Sequence, residues 1–247
     1  MSFTDLAIYI VLGAASFINI LVPISGSAVV TPFLTILTNP HTAIGLASFY
    51  FLLSGVIRVP LFRKDIQWDE VRALLPISLL AAFVGSLSLV VINSTLLLVI
   101  VLAFAIYFFL KLIKLIPSFH SRSAGQYITG FIGLFSGFLQ GAGLAGSDVR
   151  NSYLYGKNLN IAQVHGTSSL IGTSNFLLAT IVRLFTNQLN VPDLIPLLYI
   201  FPFIALGTFM GRKVLYKLDK KTINIIVAIV MVAIIVFLAK KVITNIF

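Results

Sequence analysis

The sequence predicts an all-α integral membrane protein of two inverted repeats, each a re-entrant broken-helix hairpin followed by three transmembrane helices. Three observations carry that expectation. Residues are 59% hydrophobic and 10% charged, and the mean hydropathy is +1.06, far above a soluble domain. Charge-free runs separate Asp5 from Arg58, Arg72 from Lys111, Lys157 from Arg183, Asp193 from Arg212 and Lys221 from Lys240. Each is long enough to cross ~30 Å of hydrocarbon at roughly 20 residues per span, allowing for tilt. Finally, an interrupted motif occurs twice, 120 residues apart: Gly26-Ser27-Ala28-Val29-Val30-Thr31-Pro32 and Gly146-Ser147-Asp148-Val149-Arg150-Asn151-Ser152.

The elements follow in order. Block 6–37 is interrupted by the first motif, and the turn Asn39-Pro40 separates it from block 42–61. Block 73–92 ends at Asn93-Ser94-Thr95, and block 95–116 runs to Pro117-Ser118. These make repeat one, residues 1–118. Repeat two, 119–247, holds block 124–156 with the second motif, then blocks 161–185, 194–211 and 222–245. The same ungapped offset pairs Gly13 with Gly133, Ser16 with Ser136 and Ser48 with Ser168. Both repeats form one transmembrane domain.

Charge selects the topology. If all eight blocks crossed once, the basic residues would divide almost evenly between the two faces. If blocks 6–37 and 124–156 instead return to the face they enter, 14 of the 17 basic residues share one side and only Arg183, Lys240 and Lys241 lie on the other. That asymmetry is what the positive-inside rule expects of a multi-pass cell membrane protein with both termini outside the cytoplasm. A hairpin plus three crossings per repeat is an odd number of spans, so the repeats are inverted. Their broken helices then meet near the midplane.

Several classes are excluded. With no cysteine, structural disulfides and thiolate metal sites are ruled out, and no cofactor or metal site is expected. The acid at Asp5 argues against a signal peptide, so the start is read as retained. The net charge of +10 sits in loops between apolar runs, which suits the anionic cytoplasmic leaflet rather than nucleic acid. No Gly-x-x-x-x-Gly-Lys occurs, so a gradient or a partner must supply energy.

Each repeat opens with its break, continues into a small-hydroxyl helix start (Gly45-Leu46-Ala47-Ser48; Gly166-Thr167-Ser168-Ser169) and closes with a basic or polar loop before a long apolar hairpin. The first break runs from Gly26 to Pro32-Phe33-Leu34, while Ser152 stands where the second copy would repeat the proline. In these features essentially the whole chain resembles the sulfite exporter TauE/SafE family. That resemblance implies a secondary transporter, in the exporting direction, of small sulfur-containing anions such as sulfite or organosulfonates. It implies a small anion as partner; lipid is the partner the apolar runs imply, a homodimer is left as a possibility the sequence does not decide, and no enzyme activity is expected.

A bound anion needs preorganised donors, and a half-helix start supplies unpaired N–H groups and roughly half a positive charge. Gly26, Ser27 and Thr31 in the first motif and Gly146, Ser147, Arg150 and Asn151 in the second are therefore the substrate-binding candidates. Arg150 is the sharpest, because its planar fork suits two-point contact with a sulfonate; its bland reading is an interfacial arginine snorkelling to phosphates. Asp148 is read as a helix cap, a partner of Arg150 or a proton-coupling group. His165 is read as a cap, a packed residue or a second proton-coupling group. Asn19, Gln140, Thr173 and Asn175 are expected to hydrogen-bond between helices, and Arg58 to snorkel beside Trp68.

Two further readings use the same residues. An anion channel would show electrodiffusive flux without coupling. An intramembrane hydrolase would need Ser25-Gly26 as nucleophile with His41 or His165 as base, but Pro23 stands where such a motif has glycine.

Overall fold

A computed structural model describes residues 12–20, 27–116, 126–144, 146–214 and 220–246, which form helices joined by short turns, with no strand among them. The helices are α1 (12–20), α2 (Ser27–Leu37), α3 (Pro40–Leu61), α4 (Trp68–Val91), α5 (Ser94–Leu112), α6 (Gln126–Gly141), α7 (Gly146–Gly156), α8 (Ile161–Phe185), α9 (Val191–Val214) and α10 (Lys220–Ile246). Six are long and apolar enough to cross a membrane: α3, α4, α5, α8, α9 and residues 224–245 of α10. This is a membrane protein.

Local chemistry explains the boundaries. Asn39 and Asn160 open the third helix of each half. Asn39 accepts from the Thr42 amide at 2.9 Å with Pro40 in the first turn, and Asn160 forms a capping box with Gln163. Asn93 caps α5 through the Leu96 amide at 2.7 Å. The fourth helix starts at Trp68 rather than at residue 73, because Asp69 and Glu70 complement the positive end of its first turn. The expected turn at Pro117-Ser118 lies outside the described residues.

Packing comes in matched pairs. α4 lies on α6 as α9 lies on α1, α4 and α9 pack respectively on α8 and α3, and α2–α3 contact parallels α7–α8 contact. Helix α3 meets α8, and α5 meets α10. Glycines allow the closest approaches: a Cβ at Gly137 or Gly141 would lie 2.2 Å from the Ser78 carbonyl oxygen or 2.1 Å from that of Ala82. On the first-half side, a Cβ at Gly207 would lie 2.3 Å from the Gly13 carbonyl oxygen. Outward-facing Leu80, Val84, Ile229, Val236 and Phe237 are left for lipid.

The ends of α6 and α7 lie together, since Thr129 Oγ1 and Tyr153 Oη are 2.8 Å apart. The segment 126–156 is thus an antiparallel helical hairpin. Its end is tied to the start of α4 by Tyr153 donating to Glu70 at 3.1 Å and by a Lys157–Glu70 ion pair at 3.1 Å. In the other half, Lys241 near the end of α10 donates to the carbonyls of Thr35 and Thr38 that close α2, at 2.6 and 2.7 Å.

Candidate functional site

The site is built around the turn of the second hairpin. Helix α6 ends in a Schellman-type cap: Leu144 N donates to Leu139 O at 2.7 Å, and Gly143 takes φ +74°, a conformation glycine adopts without a Cβ penalty. Helix α7 then begins at Gly146, where a Cβ would sit 2.0 Å from the Ser136 carbonyl oxygen. Thr31 of α2 donates to the Gly143 carbonyl at 3.3 Å, so the two motif-bearing segments touch at this turn.

One turn into α7, Arg150 is 1% exposed. Its Nε donates to Ser168 Oγ at 3.1 Å, Nη1 to Gln140 Oε1 at 2.9 Å and Nη2 to the Ser168 carbonyl at 3.0 Å. Gly172 leaves room for the fork, since a Cβ there would be 3.2 Å from Nη2. Gln140 Oε1 also accepts from Asn175 Nδ2 at 2.8 Å, and the same amide donates to Ser78 Oγ at 2.6 Å. The interhelical role expected of Gln140 and Asn175 is therefore observed, whereas Thr173 bonds within its own helix, to the Ser169 carbonyl.

A second guanidinium ends one residue further along α6. Arg183, fully buried, donates Nη1 to Ser48 Oγ and Nη2 to the Gly141 carbonyl, while its Nε has no partner among the described residues. The topology count treats Arg183 as a loop charge outside the cytoplasm; the structure instead turns it inward against α3 and α6. Its hint in the sequence is spacing: His165, Ser168, Gly172, Asn175, Ala179 and Val182 recur at three and four residues, and all are buried on one stripe of α8. Arg183 continues that stripe.

Every partner of Arg150 and Arg183 is a neutral oxygen. The ion pairs among the described residues are Arg72–Asp69, Lys111–Asp148 and Lys157–Glu70, none of which reaches either arginine. A buried cation without countercharge costs several kcal/mol, and a bound anion relieves that cost. Two-point contact from a guanidinium to an oxyanion is among the strongest such pairings.

The other expected residues divide. Gly26 lies outside the described residues; Ser27 and Ser147 fall in the first turns of α2 and α7, where half-helix starts are expected. Asp148 is buried in the first turn of α7 and pairs with Lys111 of α5, not with Arg150. Asn151 is partly buried, with Oδ1 unpartnered. His165 is buried and stacks on Phe62, the ring centroids 5.5 Å apart. Arg58 is half-buried at the end of α3, with its Nε and Nη2 buried and unpartnered. A cavity of about 400 Å³ beside α7 is walled by Phe104, Tyr107, Phe108, Phe135 and Leu139, with Asp148 at its edge. Lys111 already occupies that carboxylate, so the cavity offers an anion few donors.

The family model described as sulfite exporter TauE/SafE matches residues 8–238, nearly the whole chain. The chain belongs to the sulfite exporter TauE/SafE family. No curated protein and no solved structure matches it. Membership in a family of sulfite exporters makes this TauE/SafE chain a membrane transporter for small anions, in agreement with the acid-free pair of buried arginines.

Proposed function

We propose that the chain is a secondary transporter exporting small sulfur-containing anions, sulfite or organosulfonates, by alternating access around Arg150. The single observation that carries this reading is the Arg150 guanidinium, 1% exposed and held entirely by neutral partners. The anion would replace some of those neutral acceptors, taking two N–H bonds from the fork and further donors from the start of α7 at Gly146 and Ser147. Thr31 and the start of α2 at Ser27, which follows Gly26 in the sequence, would close the site from the first motif; Asn151 would line it. Arg183 adds a second positive charge next to Gly141.

The matched packing of α4 on α6 and α9 on α1, of α4 on α8 and α9 on α3, and of α2 on α3 and α7 on α8 supports two inverted repeats. Inverted repeats can exchange conformations, which gives alternating access without a new fold. The contact between the two ends of α6–α7 supports a hairpin that enters and leaves the membrane on one face. In this topology the C-terminus lies outside the cytoplasm. Coupling would use a proton on His165 or Asp148, and the Lys111 pair makes Asp148 the less available of the two.

Proteoliposome flux tests the reading. Sulfite uptake should saturate, and an imposed proton gradient should drive accumulation above equilibrium. Flux that rises linearly with sulfite and ignores the gradient would instead identify a channel. A reporter placed after Phe247 should face outward; a cytoplasmic reporter would overturn the inverted-hairpin topology.

A further inference from the structure

The face of α3 turned to α8 reads Ser48, Gly55, Arg58 and Phe62, a three-and-four spacing that keeps these residues on one stripe. Ser48 meets Arg183, a Cβ at Gly55 would collide with Thr173, and Phe62 stacks on His165. Arg58 therefore sits inside the α3–α8 contact, between Gly55 and Phe62. It also lies in the last turn of α3, as Arg183 lies in the last turn of α8.

The two arginines are not equally satisfied. Arg183 has a serine hydroxyl and a backbone carbonyl for its two terminal nitrogens. Arg58 has Nε and Nη2, the two donors that form a fork, both buried and both without a partner. One turn back on the same helix, Ser54 is 1% exposed and its hydroxyl is also unpartnered. No carboxylate among the described residues pairs with Arg58. Tyr50 on the same helix and His165 across on α8 lie near it, and the Arg212 guanidinium lies 5.2 Å from the Phe62 ring centre. Three buried, unsatisfied donors within about one turn of a single helix are expensive unless something accepts from them.

We propose that Arg58 and Ser54 form a second anion site, separate from Arg150, which takes a small oxyanion in two-point contact with Arg58 Nε and Nη2 and a third bond from Ser54 Oγ. The Arg150 site belongs to the proposed transport function; the Arg58 site stands on its own unpartnered donors. Anions held at both sites would repel each other, so binding at one need not prevent release from the other.

Sulfite titrated calorimetrically into the full chain in neutral-lipid nanodiscs tests the assignment. Two equivalents per chain are expected. Arg58→Gln should remove one equivalent and Arg150→Gln the other, while Ser54→Ala should weaken only the Arg58 equivalent, by about 3- to 10-fold. If Arg58→Gln does not yield folded protein, Ser54→Ala alone decides. Two equivalents of unchanged affinity in Ser54→Ala, or a single equivalent abolished by Arg150→Gln, would overturn the second site. A single equivalent lost in Arg58→Gln but kept in Arg150→Gln would uphold it and refute the assignment to Arg150 instead.

Discussion

The two motif-bearing segments share a place in the packing but not a chemistry. In the second, Asp148 and Arg150 are both buried, one paired with Lys111 and the other spread over Gln140 and Ser168. In the first, Ala28 and Val30 stand at the same register, and the polar contacts seen are Thr31 to Gly143 and Lys241 to the closing carbonyls of α2. Charge was thus concentrated in one copy while the other kept the shape. Segments that share a packing position can carry unlike chemistry in this way, one holding buried charge and the other mainly shape.

The largest expected stability effect comes from the charged hairpin. Asp148→Asn leaves Lys111 buried beside a neutral amide and should cost on the order of 3–5 kcal/mol, whereas removing both charges with Asp148→Leu and Lys111→Met should be close to neutral. Thermal unfolding in detergent measures the cycle. Additive losses from the two single variants would show that the pair does not act as a unit.

Next comes the packing that the halves share. Gly141→Ala in α6 and Gly207→Ala in α9 each drive a Cβ into a facing carbonyl, at 2.1 and 2.3 Å. Each should cost about 1–3 kcal/mol. Gly130→Ala is the control, because its nearest neighbour would be Ile77 Cδ1 at 3.7 Å. Equal melting temperatures for Gly130→Ala and Gly141→Ala would break the matched-packing account.

Smaller still is the capping of α2. Lys241→Gln removes donors to the Thr35 and Thr38 carbonyls and should cost roughly 0.5–1 kcal/mol. Its hydrogen-exchange signature should be confined to the end of α2, and protection lost across α7 would contradict that separation of α2 from α7.

The smallest effect is a pH dependence outside the membrane-spanning segments. Lys157 has its pKa raised, first by the hydrogen bond to Glu70. A raised folded value means that the pair's stabilisation is fully present below the ordinary lysine value of 10.5 and is lost as pH rises through the higher folded value. Glu70→Gln should flatten the melting temperature above that ordinary value. An unchanged slope would remove the pair from the account.

The fold was largely legible because hydropathy and spacing are local. Charge-free runs located α3, α4, α5, α8, α9 and α10, and the Gly-Ser motifs located the starts of α2 and α7. The site was only half legible. Arg150 stands out as an arginine in an apolar block, but Arg58 and Arg183 occupy helix ends, where sequence cannot distinguish an arginine reaching to water from one turned inward. That choice depends on which helix lies opposite: Arg183 turns in because Ser48 and the Gly141 carbonyl are there to receive it. The Lys111–Asp148 pair was hidden for the same reason, its partners being 37 residues apart on different helices.

The central claim is that Arg150 grips the anion through its planar fork and not merely through its charge. Sulfite binding to Arg150→Lys, measured in nanodiscs against the unaltered chain, tests it most directly. Since lysine keeps the charge but loses two-point contact, the variant's affinity for the Arg150 equivalent should fall about tenfold or more, which is roughly 1.4 kcal/mol or more. An unchanged affinity would contradict the account and leave Arg150 a structural residue of the α6–α7–α8 junction.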